Sequence, residues 1–310
     1  MSSAQPNAQK ATALHRFAVF TAGATVVLLA AGALVTSNDA GLAVPDWPLS
    51  YGTWMPPMVG NILYEHGHRM IATFVGLLTI ILAVWILLRE PRRWVRGLGL
   101  AALGTVVLQG ILGGVTVLFL LPPAVSIAHA TLAQVFFCLA VSLAVFTGPG
   151  WRSPTEQRMD SGRPSLFDLT AATTLLVFLQ LILGAAYRHS LVDITPHLVG
   201  AIAVAFFIVR TARRVQQQHN DLPALQRPAR VLLGLLWLQL ALGGGAYLSR
   251  LATADAPQPA LYMVALTVAH VVVGALVLAT SLALALHAHR LLARAEKAPS
   301  VLAAGEEVSA

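Results

Sequence analysis

The chain has 310 residues, is 57% hydrophobic and only 11% charged, and its mean hydropathy is +0.73. That balance excludes an ordinary soluble domain and describes a polytopic membrane protein. The net charge of +7 would suit a nucleic-acid binder, but the basic residues lie where membrane topology puts them; the expected partner is the lipid bilayer, with no nucleic acid.

In chain order, apolar stretches long enough to cross about 30 Å of hydrocarbon run near 16–36, 69–88, 97–121, 126–147, 167–187, 196–212, 229–249 and 262–287. The expectation is an all-α fold with eight transmembrane helices. Continuous apolar runs such as Ile71 to Leu88 contradict the short alternating segments of a membrane barrel. The first stretch follows a short basic region, as a signal peptide would, but its length predicts a retained helix. No Arg-rich, Ser-rich leader precedes it, which favours a bacterial inner membrane over mitochondrial import.

Lys10 and Arg16 precede the first stretch; Arg89, Arg92, Arg93 and Arg96 follow the second; Arg152, Arg158 and Arg163 follow the fourth. Arg210, Arg213, Arg214, Arg227 and Arg230 follow the sixth, and Arg290, Arg294 and Lys297 follow the last. Of the 20 Lys and Arg residues, only Arg69, Arg188 and Arg250 fall on the other side. Both termini are therefore expected in the cytoplasm. From about Ala298 the sequence has no apolar period and reads as a short tail. Cys138, the single cysteine, lies inside the fourth stretch, reads as a small buried hydrophobe and excludes an intramolecular disulfide.

The odd-numbered stretches repeat a motif: Leu108-Gln109-Gly110-Ile111-Leu112-Gly113-Gly114, Leu179-Gln180-Leu181-Ile182-Leu183-Gly184-Ala185 and Leu238-Gln239-Leu240-Ala241-Leu242-Gly243-Gly244. A weaker copy, Ala31-Gly32-Ala33-Leu34, ends the first stretch. Each copy is followed by an outer loop and then a histidine: His68, His129, His197 and His270. Small residues at these helix ends allow close backbone approach to a neighbouring helix or a flat ligand, in the space the next histidine reaches. The glutamines suit hydrogen bonds between helices or contact with a ligand.

Ionisable groups at membrane depth are rare and usually functional, so four histidines at equivalent repeat positions suggest paired metal or haem ligation. Singly, each would also suit a hydrogen-bonded interfacial residue. Two hairpins supply two histidines, which divides the chain into two pseudo-symmetric four-helix bundles, residues 1–150 and 151–310, each with one potential bis-histidine site. Zinc is disfavoured, because no cysteine set or close His-x-x-x-His spacing accompanies the histidines. His15, His219, His287 and His289 fall on the basic side, where solvated or headgroup-facing roles are expected, and His189 lies outside the repeat beside Arg188.

The most distinctive segment is Tyr64-Glu65-His66-Gly67-His68-Arg69-Met70. On a helix Glu65 and His68 share a face, while His66 stands about 200° away from His68. His68 is thus the expected ligand and Glu65 its functional neighbour, although a carboxylate near a helix N-terminus has a dipole role of its own. Arg69 suits either a pair with Glu65 or a haem propionate.

These residues together carry a family resemblance. Gly32-Ala33-Leu34-Val35-Thr36, then Ala40-Gly41-Leu42 with Pro45-Asp46-Trp47-Pro48, then Glu65-x-x-His68-Arg69 and the three later histidines resemble the haem A synthase family, essentially over the whole chain. The resemblance implies an enzyme, an oxidoreductase acting on a CH group, that turns the C8 methyl group of haem O into a formyl group in two successive steps, giving haem A. It implies that His68 and His129 hold the substrate haem, that His197 and His270 hold a haem b cofactor, and that Glu65 is the family's functional glutamate. A haem O synthase, terminal oxidase assembly factors, an unidentified electron acceptor and a homo-oligomer are the partners it suggests. Some members carry a cysteine pair in the first outer loop; residues 37–64 here contain none.

Two other classes would explain part of the pattern. A di-haem b-type electron-transfer subunit accounts for the histidines but has no use for Glu65. A transporter accounts for helices and repeats, yet transporters place polar groups at broken helices near the midplane, whereas here they gather at the outer end.

Overall fold

A computed structural model describes residues 4–294, in which eight long helices are joined by connections of which 38–60 and 148–165 are the longest. They are α1 (Ala4–Ser37), α2 (Asn61–Arg89), α3 (Arg93–Leu118), α4 (Pro123–Thr147), α5 (Leu166–Arg188), α6 (Thr195–Gln218), α7 (Pro223–Ala252) and α8 (Leu261–Leu291). Lys297 and the tail from Ala298 lie outside the described residues, as does the Lys10 side chain.

Local chemistry sets the helix starts. Proline opens α4, α6 and α7 in the first turn, where its missing N–H costs nothing. Ser165 caps α5 by accepting from the Asp168 amide at 3.1 Å, and its hydroxyl donates back to the Asp168 carboxylate at 2.7 Å. Inside the apolar helices, threonine hydroxyls satisfy themselves on the preceding turn, as Thr25 does on Thr21 and Thr79 on Val75.

Seven of the described helices are long and apolar enough to cross a membrane, and the chain is a multi-pass membrane protein. The exception is α6. It has 24 residues, but Arg210, Arg213 and Arg214 occupy its last turns, so its apolar part falls short of the membrane crossing expected at 196–212. Arg227, expected between the sixth and seventh stretches, stands with Arg230 in the first turns of α7. Leu77, Ile202 and Trp237 are among many large apolar side chains left exposed around the helices, as a lipid-facing surface requires.

Neighbouring helices close two sets. α1 packs against α2 and α4, with α3 between those two; α5 packs against α6 and α8, with α7 between those two. Leu14, Val75, Leu82, Phe136 and Leu143 belong to one buried cluster; Leu166, Ile208, Leu232 and Leu278 belong to another. The sets meet where α1 and α4 touch α8, around Leu29, Phe137 and Ala275.

The basic end is tied by buried carboxylates. Glu90 accepts from Arg92 Nε at 2.7 Å and from Arg152 at 3.3 Å, and Arg92 also donates to the carbonyls of Phe146 and Trp151. Asp160 holds the α5 entrance through the Leu166 and Gly162 amides and faces Arg214 at 3.3 Å. Asp160 closes β1 (Arg158–Asp160), which pairs in parallel with β2 (Leu292–Arg294).

Candidate functional site

The four repeat histidines occupy equivalent places. Each ring sits against a glycine of the preceding helix: His68 on Gly32, His129 on Gly113, His197 on Gly184 and His270 on Gly243. An ideal Cβ at those glycines would lie 3.2, 3.3, 3.1 and 2.8 Å from the histidine Cε1. The absent side chain is therefore what gives each ring its place. Sequence reading expected small residues and histidines to share this space, and they do.

At three of the four seats, the glutamine one turn before the cradle glycine reaches the same histidine. Gln109 Nε2 donates to the His129 carbonyl at 3.0 Å and lies 3.3 Å from its ring Nε2. Gln180 Nε2 donates to the His197 carbonyl at 2.7 Å and lies 3.0 Å from its Nδ1. Gln239 Nε2 approaches the ring Nε2 of His270 at 3.5 Å. Of the two roles the sequence allowed, bonding between helices is the one observed.

The histidines form two pairs. The His197 and His270 rings are 6.3 Å apart between centroids and nearly perpendicular, at 77°. Two imidazoles on opposite sides of one metal ion, with bonds of about 2 Å, place their centroids about 6 Å apart, so the spacing fits a shared iron. His68 and His129 lie within electrostatic reach of each other. Nδ1 of His68, His129 and His270 is buried without a hydrogen-bond partner among the described residues. Orphaned ring nitrogens in an apolar surrounding fit a ligand that supplies the missing bond. No cluster of three or more His, Cys, Asp or Glu able to hold a metal ion exists among the described residues.

The two pairs differ in what surrounds them. Glu65 is 4% exposed and both its oxygens are engaged: Oε2 accepts from the Val44 amide at 2.8 Å and Oε1 from Arg69 Nη2 at 2.6 Å. Arg69 Nη1 donates to the carbonyls of Asp46 and Leu49, 2.8 Å each, so Arg69 joins Glu65 to the first outer loop. His66 faces away from His68 as expected and binds the Ser50 hydroxyl through Nδ1 at 2.8 Å. Trp47 lies on Gly114, whose hypothetical Cβ would stand 2.7 Å from the ring. The loop over 38–60 is thus fastened directly above the residues that seat His68 and His129.

That loop has its own internal brace. The Asp46 carboxylate accepts from the amides of Tyr51 and Gly52 at 2.6 and 2.8 Å, and both residues have positive φ. The Gly52 amide, the largest influence, holds the Asp46 carboxyl below its usual range.

Two side chains join the halves without a sequence signal to announce them. Arg188, at the end of α5, donates to the Thr36 carbonyl at the end of α1 and stands 3.6 Å from Asp39. His189 comes within electrostatic range of His129. Both lie where a separation into independent halves would place nothing.

Comparison with known proteins converges on one family. The family model described as "Cytochrome oxidase assembly protein" matches residues 58–191, the region holding Glu65, His68 and His129. A heme A synthase of Symbiobacterium thermophilum is 30% identical over 263 residues, covering 73% of this chain and 83% of that protein. The heme A synthase of Alkalihalophilus pseudofirmus is 30% identical over 146 residues, 46% of this chain and 49% of that one. That of Halalkalibacterium halodurans is 32% identical over 139 residues, 42% and 44% of the two; against these two relatives the match spans about half their length. With the similarity over 73% of the chain added to the match at residues 58–191, the chain belongs to the haem A synthase family.

Proposed function

We propose that this protein is a haem A synthase that oxidises the C8 methyl group of haem O to a formyl group in two successive steps. The observation that carries the reading is the repeated seat, a histidine ring on a glycine, occurring four times with a charged Glu65–Arg69 pair beside only one of them. Residues 1–150 and 151–310 form two pseudo-symmetric four-helix halves, with α6 as the eighth crossing. The termini face the cytoplasm and the membrane is the bacterial inner membrane, because nearly all basic residues gather at the end where the chain begins and ends.

In this reading His68 and His129 hold the substrate haem in the N-terminal half. His197 and His270 hold a haem b, which supplies one-electron redox chemistry toward an external acceptor when bound. Gly184 and Gly243 seat the cofactor ligands, and Gln180 and Gln239 orient them.

Substrate oxidation balances without oxygen gas. Each step removes two electrons and two protons and adds water: methyl becomes hydroxymethyl, and hydroxymethyl becomes a hydrated aldehyde that loses water to give formyl. Carbon develops positive charge before water attacks. Glu65, whose two oxygens accept bonds from Val44 and Arg69 beside the His68 seat, is the residue assigned to stabilise that charge. The departing protons leave through water. The loop braced by Asp46 and Trp47 limits how much water reaches the site.

Isotope incorporation tests the oxygen source. The hydroxymethyl intermediate formed in labelled water carries the label; label entering from oxygen gas instead contradicts the route. A haem O synthase upstream and oxidase assembly factors downstream are the partners that the family resemblance suggests. A di-haem electron-transfer subunit explains the pairs but leaves the buried Glu65–Arg69–Val44 arrangement without a purpose.

A further inference from the structure

The four histidine seats are alike in their glycine and unlike in their grip. Three of the four cradle glycines have, four residues earlier and so on the same helix face, a glutamine that reaches the histidine: Gln109 before Gly113, Gln180 before Gly184 and Gln239 before Gly243. The residue four before Gly32 is Leu28. His129 and His197 are each gripped at backbone and ring by their glutamine. His270 has only the ring contact at 3.5 Å, but its glycine is the tightest of the four, at 2.8 Å, and His197 stands edge-on against it. Among the described residues, no glutamine reaches His68, and its buried Nδ1 has no partner.

The neighbouring polar groups offer His68 no substitute. Arg69 is committed to Glu65 and to loop carbonyls, Glu65 to Arg69 and Val44, and His66 to Ser50. A buried imidazole with no hydrogen bond keeps its position by packing alone, whereas one hydrogen-bonded to a fixed amide loses that bond when it turns.

Resting on the assignment of the two pairs as haem ligands, we propose that Gln109, Gln180 and Gln239 are positioning residues for the histidine of the following helix. His68, with Leu28 in place of such a glutamine, is then the one histidine that turns away from the iron it shares with His129. The substrate half is thereby built with one firm and one yielding ligand, and the cofactor half with two firm ones. A substrate haem must be admitted and its product released, and an asymmetric pair serves exchange at the first site without loosening the second.

The test installs and removes the grip in the full-length, detergent-purified protein loaded with haem and reduced with dithionite, using carbon monoxide as the probe of ligand displacement. In the wild type, carbon monoxide binds the substrate-half haem and leaves the His197–His270 haem low-spin. Leu28→Gln is expected to slow carbon monoxide binding roughly five-fold, the worth of about one net hydrogen bond. Gln109→Leu gives the substrate iron a second yielding ligand beside His68 and is expected to speed it by less than about two-fold, with the unchanged low-spin spectrum of the other haem reporting that each variant is folded. Equal carbon monoxide rates in wild type, Leu28→Gln and Gln109→Leu would overturn the inference while leaving the site assignment standing. A substrate-half haem whose spectrum is indifferent to both His68→Ala and His129→Ala would overturn the assignment and the inference together.

Discussion

Glu65 is the residue on which the account is most exposed, because a carboxylate 4% exposed in a membrane protein must be compensated to exist. Arg69 and the Val44 amide compensate it. Glu65→Gln keeps an acceptor for Val44 but removes the charge. It is expected to retain both haems and to lose conversion, read by the spectra and the extracted haems; loss of haem binding would make the residue structural. Arg69→Met leaves Glu65 buried and unpaired, a disruption of about 3–5 kcal/mol for a buried pair. Its expected signature is faster amide hydrogen exchange over 44–50, with α5–α8 unaffected. The glycine seats give a graded series. Gly243→Ala places a methyl 2.8 Å from His270 and should displace the ring and the low-spin haem it holds, at a cost of about 1–3 kcal/mol, whereas Gly113→Ala at 3.3 Å should be milder.

At the scale of elements, the first outer loop is the part that distinguishes the halves. Trp47 seals it against Gly114, and the Asp46 side chain braces its turn at Tyr51 and Gly52. Gly114→Ala, with its new methyl 2.7 Å from the indole, is expected to lift the loop and raise proteolysis within 38–60 without altering the spectrum assigned to the His197–His270 haem; an unchanged cleavage pattern would mean that Arg69, Glu65 and His66 hold the loop without help from Trp47. The helices themselves were legible in the sequence, since period and length follow from local composition. Their boundaries were less so: α7 begins at Pro223, because proline and arginine are tolerated in the first turns of a helix that leaves the membrane. The histidine seats were legible as a repeat. The fastening of the loop was not, because Val44 to Glu65 and Ser50 to His66 join residues far apart in sequence through a backbone amide and a hydroxyl that carry no pattern. Arg188 on Thr36 and the β1–β2 pair are invisible for the same reason.

In the proposed reading the molecule is a doubled structure whose two parts differ at one end. Residues 1–150 and 151–310 each hold a buried cluster and two glycine seats, while the first alone adds the loop, Glu65 and Arg69 and has one glutamine at its seats against two in the second. Replacing both His197 and His270 with alanine is therefore expected to halve the haem content and to stop turnover while substrate haem still binds. The central claim is that the N-terminal half alters a haem rather than merely holding one. The direct measurement is extraction of the pigments from protein purified out of a host that makes haem O, with haems B, O and A separated by chromatography. The account predicts haem B together with haem O and haem A in the wild type, and haem B with haem O but no haem A in Glu65→Gln; haem B alone in the wild type would contradict it.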